Sequence, residues 1–307
     1  MTALADPSQA PDLIPGTEIP DKPRSMVRRG AEVFVENKLA LFSLAVLAVI
    51  FVFCFIGPFF YHSDTTAPRI LDFTQPPGSG WPLGTDQQGF DELGDLMRGM
   101  QASLEVGLAA GLIAAVVGAL YGAIAGYVGG WIDALMMRII DALFSVPIIF
   151  LLIFLASLYG NTKTVLITVI GLTSWFGITR LVRGEALTIK VRDYVAACRM
   201  MGGSPGRIIF RHVMPNTIGT TIVNTTFSIA DAIFAVSTLS YIGLGLTPPH
   251  TDWGGMLDIG TQYASNGWSS YWWLIYPPAF CIIAVILCFN VIGDALRDAF
   301  ETRLQKR

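Results

Sequence analysis

The chain has 307 residues, of which 53% are hydrophobic and only 14% are charged, with a formal net charge of −3. A soluble domain carries about a quarter of its residues as charges, so a water-exposed globule is excluded and a membrane protein becomes the class to test. The charge balance gives no reason to expect a nucleic-acid partner.

Residues 1–24, "MTALADPSQAPDLIPGTEIPDKPR", are Pro-rich and polar and read as a disordered tail. Residues 25–38 read either as a basic amphipathic helix lying on the membrane or as a plain positive flank. The run 39–60 holds no charge and is long enough to cross a hydrocarbon core of ~30 Å, which closes a first unit at 25–61. It begins too far into the chain, and is too long, for a cleaved signal peptide. Residues 62–101 are acidic and rich in Gly and Pro, and form an outer loop large enough for a small cap. From 102 to 307 a five-helix core is expected, with spans near 106–132, 142–162, 164–179, 217–245 and 272–293. A second outer loop at 246–271 is rich in Trp and Tyr, which favour the membrane interface. The fold class is therefore an all-α polytopic membrane protein with six transmembrane helices.

Six spans with both termini in the cytoplasm leave 17 of the 20 Lys and Arg residues inside, and only Arg69, Arg98 and Lys163 outside. The opposite orientation reverses that tally, so both ends are placed inside. Cys54, Cys281 and Cys288 fall in spans and Cys198 in an inner loop, which favours neither a disulfide framework nor a metal site.

Two features of the spans stand out. Gly107, Gly111, Gly118, Gly122 and Gly126 recur down one face of the second span, where a neighbouring helix can approach closely or a substrate groove can form. Asp231 is the one carboxylate near the middle of a span, either hydrogen-bonded to Ser228 or Thr225 or lining a wet pathway.

The inner loop at 185–216 is much longer than a connection requires. Leu187, Val191, Tyr194, Val195, Cys198 and Met201 recur at helical spacing, which predicts one amphipathic helix from Glu185 to Met201. Gly202-Gly203 ends it, Ser204 caps a short second helix opened by Pro205, and Met214-Pro215 is expected to stop that helix. Arg207 and Arg211 fall on its exposed side. The loop has the build of something gripped from the cytoplasm, or else of an amphipathic segment resting on lipid headgroups.

This loop resembles the "EAA loop" of bacterial ABC importer permeases at Ala196-Ala197-Cys198, Gly202 and Met214-Pro215. Residues 83–104, "LGTDQQGFDELGDLMRGMQASL", resemble the "LGTDxxGRDxxSRxxxGxxxSL" of dipeptide, oligopeptide and nickel permeases. "LSYIGLGLTPPHTDWGGML" (239–257) and "GDALRDAFETR" (293–303) resemble two further motifs of that family in the same order. The resemblance covers about 35–307 and points to the second-type permease subunit. It implies a second homologous permease subunit, two cytoplasmic ATPases that carry the ATP and Mg, an external binding protein, and transport of peptides. Nickel chelates, oligosaccharides and opines remain alternatives. The chain departs from the pattern at Ala196, where the family has Glu, and at Phe90, Gly94-Asp95 and Val236. The resemblance also implies that the loop transmits force and performs no chemistry.

No Walker A loop, HExxH or GxSxG is present, and His62, His212 and His250 are widely spaced, so the chain is expected to be no enzyme and to bind no cofactor itself. An ion-coupled secondary transporter would be expected to show inverted repeats, and no duplicated half is visible. An intramembrane hydrolase lacks a nucleophile–base pair.

Overall fold

The computed structural model describes residues 34–63, 72–78, 80–246, 250–264 and 271–301. The expected tail at 1–24 lies outside them, as does most of the amphipathic segment. Among the described residues the regular structure is helical, with only isolated bridges between Gly78 and Trp81 and between Thr85 and Asp91.

Helix α1 (Lys38–Phe55) starts at Asn37, whose side chain accepts from the amides of Leu39 and Ala40. A short α2 (Gly57–Phe60) continues it. Helix α3 (Glu92–Val128) has 37 residues, about 55 Å at 1.5 Å per residue. It is much longer than the hydrocarbon core. Its first ten residues belong to the stretch that sequence assigns to the outer loop 62–101. Asp91 caps it, and Gly129 at φ +69° ends it.

The run 142–162 does not form one straight span. Helix α4 (Gly130–Phe144) and helix α5 (Ile148–Tyr159) meet at an angle of 82°. Pro147 between them has no amide proton to donate and disfavours helix in Val146, so the apolar run breaks there. Helix α6 (Lys163–Ser174) and helix α7 (Phe176–Ile189) form a nearly continuous segment around Trp175. After the 190–217 loop come α11 (Ile218–Leu239), α12 (Trp253–Ala264) and α13 (Trp272–Glu301). Among the described residues, five helical segments are long and apolar enough to span a membrane, or six when the bent pair counts as one.

Helix α3 is the central element, and its glycines face two neighbours. A Cβ on Gly107 or Gly111 would lie 2.4 and 2.5 Å from Ile233 and Ile229 of α11. On Gly118, Gly122 or Gly126 it would fall within 2.8 Å of α7, at Ile178, the Thr179 carbonyl and Ala186. Small residues along one face of the helix therefore let two others approach it at different heights.

At one end α3 carries a cap. Thr85 donates to the Asp72 carbonyl and accepts from the Gln75 amide, while Asp86 accepts from the amides of Gln88 and Phe90. Trp273 donates to the Thr85 carbonyl and Trp253 to the Leu96 carbonyl, both at 3.3 Å. Asp252 is buried and accepts four hydrogen bonds, from Ser240 and from the amides of Leu246, Gly254 and Gly255. Burial pushes the carboxyl groups of Asp86 and Asp252 above the usual range, and the hydrogen bonds oppose that shift. The two distant motifs at 83–104 and 239–257 thus form one structure.

Candidate functional site

The opposite end holds the long loop. In place of one helix from Glu185 to Met201, α7 stops at Ile189 and α8 (Asp193–Met200) begins after Lys190, Val191 and Arg192. Lys190 donates to the Val128 carbonyl at the end of α3, which turns the chain here. The expected apolar stripe is therefore split. Val195 is fully buried and Cys198 half-buried, whereas Leu187, Val191, Tyr194 and Met201 are exposed.

Helix α8 ends in a Schellman closure. The Gly203 amide donates to the Cys198 carbonyl at 2.9 Å, the Gly202 amide to Arg199 at 3.0 Å, and Gly202 sits at φ +81°. Gly203 packs against Cys198, where a Cβ would come 2.7 Å from the sulfur. Ser204 then accepts from the Arg207 amide to cap α9 (Pro205–Ile208), which Pro205 opens.

The expected stop at Met214-Pro215 does not occur. A wider turn over Ile209–Val213 lets the Met214 amide bond five residues back to Ile209, and α10 (Met214–Asn216) carries Pro215 within helical backbone. That irregular turn accommodates a proline that cannot donate. The real discontinuity is Thr217, at φ −92° and ψ 2°.

Burial divides the loop into anchor and outer surface. Val195, Ile208, Ile209 and Val213 are buried in a core shared with α3 and α7. Ala196, Ala197, Arg207 and Arg211 are exposed, and Met200 and Met201 are 84% and 82% exposed. The Arg199 guanidinium lies 5.7 Å from the centre of the Tyr127 ring. The loop therefore presents a basic and apolar knob on a fixed base.

Asp231 lies on the open face of α11. Among the described residues no hydrogen bond reaches its carboxylate: the Thr225 hydroxyl donates to the Thr221 carbonyl instead. Two further contacts were not singled out by sequence reading. Arg183 forms a two-bond fork to Asp133, and Thr220 donates to Glu185 across α7 and α11. Both acidic partners stand in amphipathic stretches, where spacing alone cannot separate a pairing group from a solvated one.

The family model described as binding-protein-dependent transport system inner membrane component matches residues 107–306. A second, the N-terminal TM domain of oligopeptide transport permease C, matches residues 25–77. The dipeptide transport system permease protein DppC of Bacillus subtilis is 38% identical over 88% of this chain and 84% of its own length. The oligopeptide transport system permease protein OppC of Escherichia coli K12 is 36% identical over 91% of this chain and 92% of its own length. OppC of Bacillus subtilis is 32% identical, covering 89% of this chain and 88% of its own length.

The chain belongs to this permease family. It is a DppC/OppC-like ABC permease subunit and a multi-pass bacterial inner-membrane protein.

Proposed function

We propose that the chain is one of two permease subunits of an ATP-driven importer of di- or oligopeptides. Both termini face the cytoplasm, as the distribution of Lys and Arg favours. A second homologous permease completes the path, and two ATPase subunits carry ATP and Mg. An external binding protein delivers cargo. This chain binds no cofactor and catalyses no reaction.

One observation carries the reading: a capped knob whose apolar side is anchored in the core while Arg207, Arg211, Met200 and Met201 stand out from it. Such an element can transmit a push, because its base is buried with α3 and α7 and cannot slide independently. Closure of the ATPases would bias two arrangements of the membrane helices through it. The missing carboxylate at Ala196 leaves shape and the arginines as the means of grip. The peptide assignment draws on the named activities of the relatives.

The test uses the assembled transporter. Its ATPase is expected to be stimulated by peptide-loaded binding protein. Stimulation by a sugar-loaded or nickel-loaded binding protein, with none by the peptide-loaded form, would overturn the substrate assignment.

A further inference from the structure

Helix α11 carries polar residues along one side, of which Asp231 is exposed while Thr220, Asn224 and Thr238 are half-buried. On it Thr220, Asn224, Asp231 and Thr238 recur at spacings of four and seven, which puts them on one stripe. Three of the four are engaged. Thr220 donates to Glu185, Asn224 to the Thr220 carbonyl and Thr238 to the Phe234 carbonyl. Asp231 alone presents an exposed carboxylate with no hydrogen bond from the described residues.

A bare carboxylate facing lipid tails is costly, and so is a polar stripe along the same side. The face is therefore better suited to a watered path than to lipid. Between Asn224 and Thr238 every side chain except Asp231 is uncharged, so that stretch presents negative charge only.

The stripe leads into a cavity of about 240 Å³ lined by Leu181, Glu185, Thr220, Asn224, Phe227 and Arg297. One Glu185 oxygen accepts from Thr220; the other is buried and has no hydrogen-bond partner among the described residues. Arg297 has an interaction of its own. Thr220 and Asp231 lie about 16 Å apart along the helix axis. Asp231 thus stands at mid-span as the accessible acceptor of the stripe, with the cavity farther along the same helix.

We propose that this stripe selects cationic cargo. The ammonium or guanidinium group of a basic peptide side chain is held at Asp231 as it passes the helix. This rests on the reading of the chain as a peptide permease, and it adds a charge preference that belongs to the membrane subunit itself.

The experiment compares uptake of Ala-Lys-Ala and Ala-Gln-Ala by the complete transporter in proteoliposomes, with one and the same binding protein throughout. Asp231→Asn is expected to lower the Lys-to-Gln uptake ratio about tenfold, the effect of losing one charge–charge attraction in a partly dehydrated site. Asp231→Glu is expected to keep the ratio. If Asp231→Asn depresses both peptides with the ratio unchanged, charge selection is overturned and the path reading stands. If neither peptide is affected, Asp231 is off the path and both ideas fall. Loss of the partner permease on co-purification would make the carboxylate a subunit contact and overturn the proposal.

Discussion

Arg183 grips Asp133 through two parallel hydrogen bonds, Nε to Oδ1 at 2.6 Å and Nη2 to Oδ2 at 2.7 Å. The fork ties α7 to the start of α4, directly after the Gly129 turn. A second pair, Arg180 Nη2 to Asp141 Oδ1 at 2.7 Å, repeats the tie farther along α4, and that guanidinium also covers the Phe144 ring. The two links hold the bent α4–α5 segment against the body of the protein. The first is the stronger, because Asp133 is only 8% exposed while the Arg180 pair is about half exposed.

Removing one partner of the fork should leave a charge without compensation. Arg183→Ala is expected to destabilise the purified transporter by about 2 kcal/mol or more, and Arg180→Ala by under about 1 kcal/mol. Arg183→Lys keeps the charge but cannot form the fork, and should fall between them. Thermal unfolding in detergent, followed by loss of monodisperse protein, measures the order. Equal effects of Arg183→Ala and Arg180→Ala would show that burial does not separate the pairs.

The glycines of α3 should differ according to what they face. A Cβ at Gly122 would lie 2.6 Å from the Thr179 carbonyl, which is backbone and cannot rotate away. A Cβ at Gly107 meets Cγ1 of the buried Ile233 side chain, which is stiff but, unlike backbone, has other rotamers. Gly122→Ala is therefore expected to cost about 2–3 kcal/mol and Gly107→Ala about 1 kcal/mol. The same unfolding assay ranks them, and the reverse order would contradict the packing described.

How much of this was legible in the sequence depends on the kind of signal. The spans were legible because long uncharged runs need no partner to be recognised, and Gly202, Ser204 and Pro205 were legible because their backbone roles are local. Pro147 and Pro215 show the limit. One breaks an apolar run by 82° and the other sits inside helix, and the difference lies in whether a wider turn precedes it. The Glu185–Thr220 contact joins residues 35 apart and leaves no periodic trace. Asp252 lies within a motif that sequence does match, but its four hydrogen bonds follow only from the way the two outer stretches meet.

Asp252 and Asp86 predict a pH dependence of the cap. Burial raises both carboxyl groups above their ordinary values, so the folded cap binds protons more readily than the unfolded chain does. Their contribution to stability therefore falls as pH rises from the ordinary carboxylate range through the raised folded values. Asp252→Asn should flatten that slope. It should also lose about 1–3 kcal/mol, because the new amide hydrogens cannot accept from Ser240 and Leu246. Proteolysis within the cap, measured between pH 4 and 7, reads both effects. A slope unchanged in the variant would remove Asp252 from the account.

The knob supplies the sharpest test of coupling. Gly202 sits at φ +81°, which proline cannot adopt, and its amide closes the α8 turn onto Arg199. Gly202→Pro should therefore unseat the α8–α9 joint while leaving the spans, whose core contacts lie elsewhere, in the membrane. Arg207→Glu and Arg211→Glu should act differently. Both residues are exposed, so the fold should tolerate the change while the grip is lost. All three variants are expected to reach the membrane at normal levels and to lose peptide uptake. The two charge reversals should also lose the ATPase subunits on co-purification. Full uptake in Gly202→Pro would sink the coupling role, since no rearranged joint could deliver the same push. If the arginine variants kept both uptake and ATPase subunits, the grip would have to lie in the apolar knob at Met200 and Met201, where Met201→Asp would then be the change that separates the subunits.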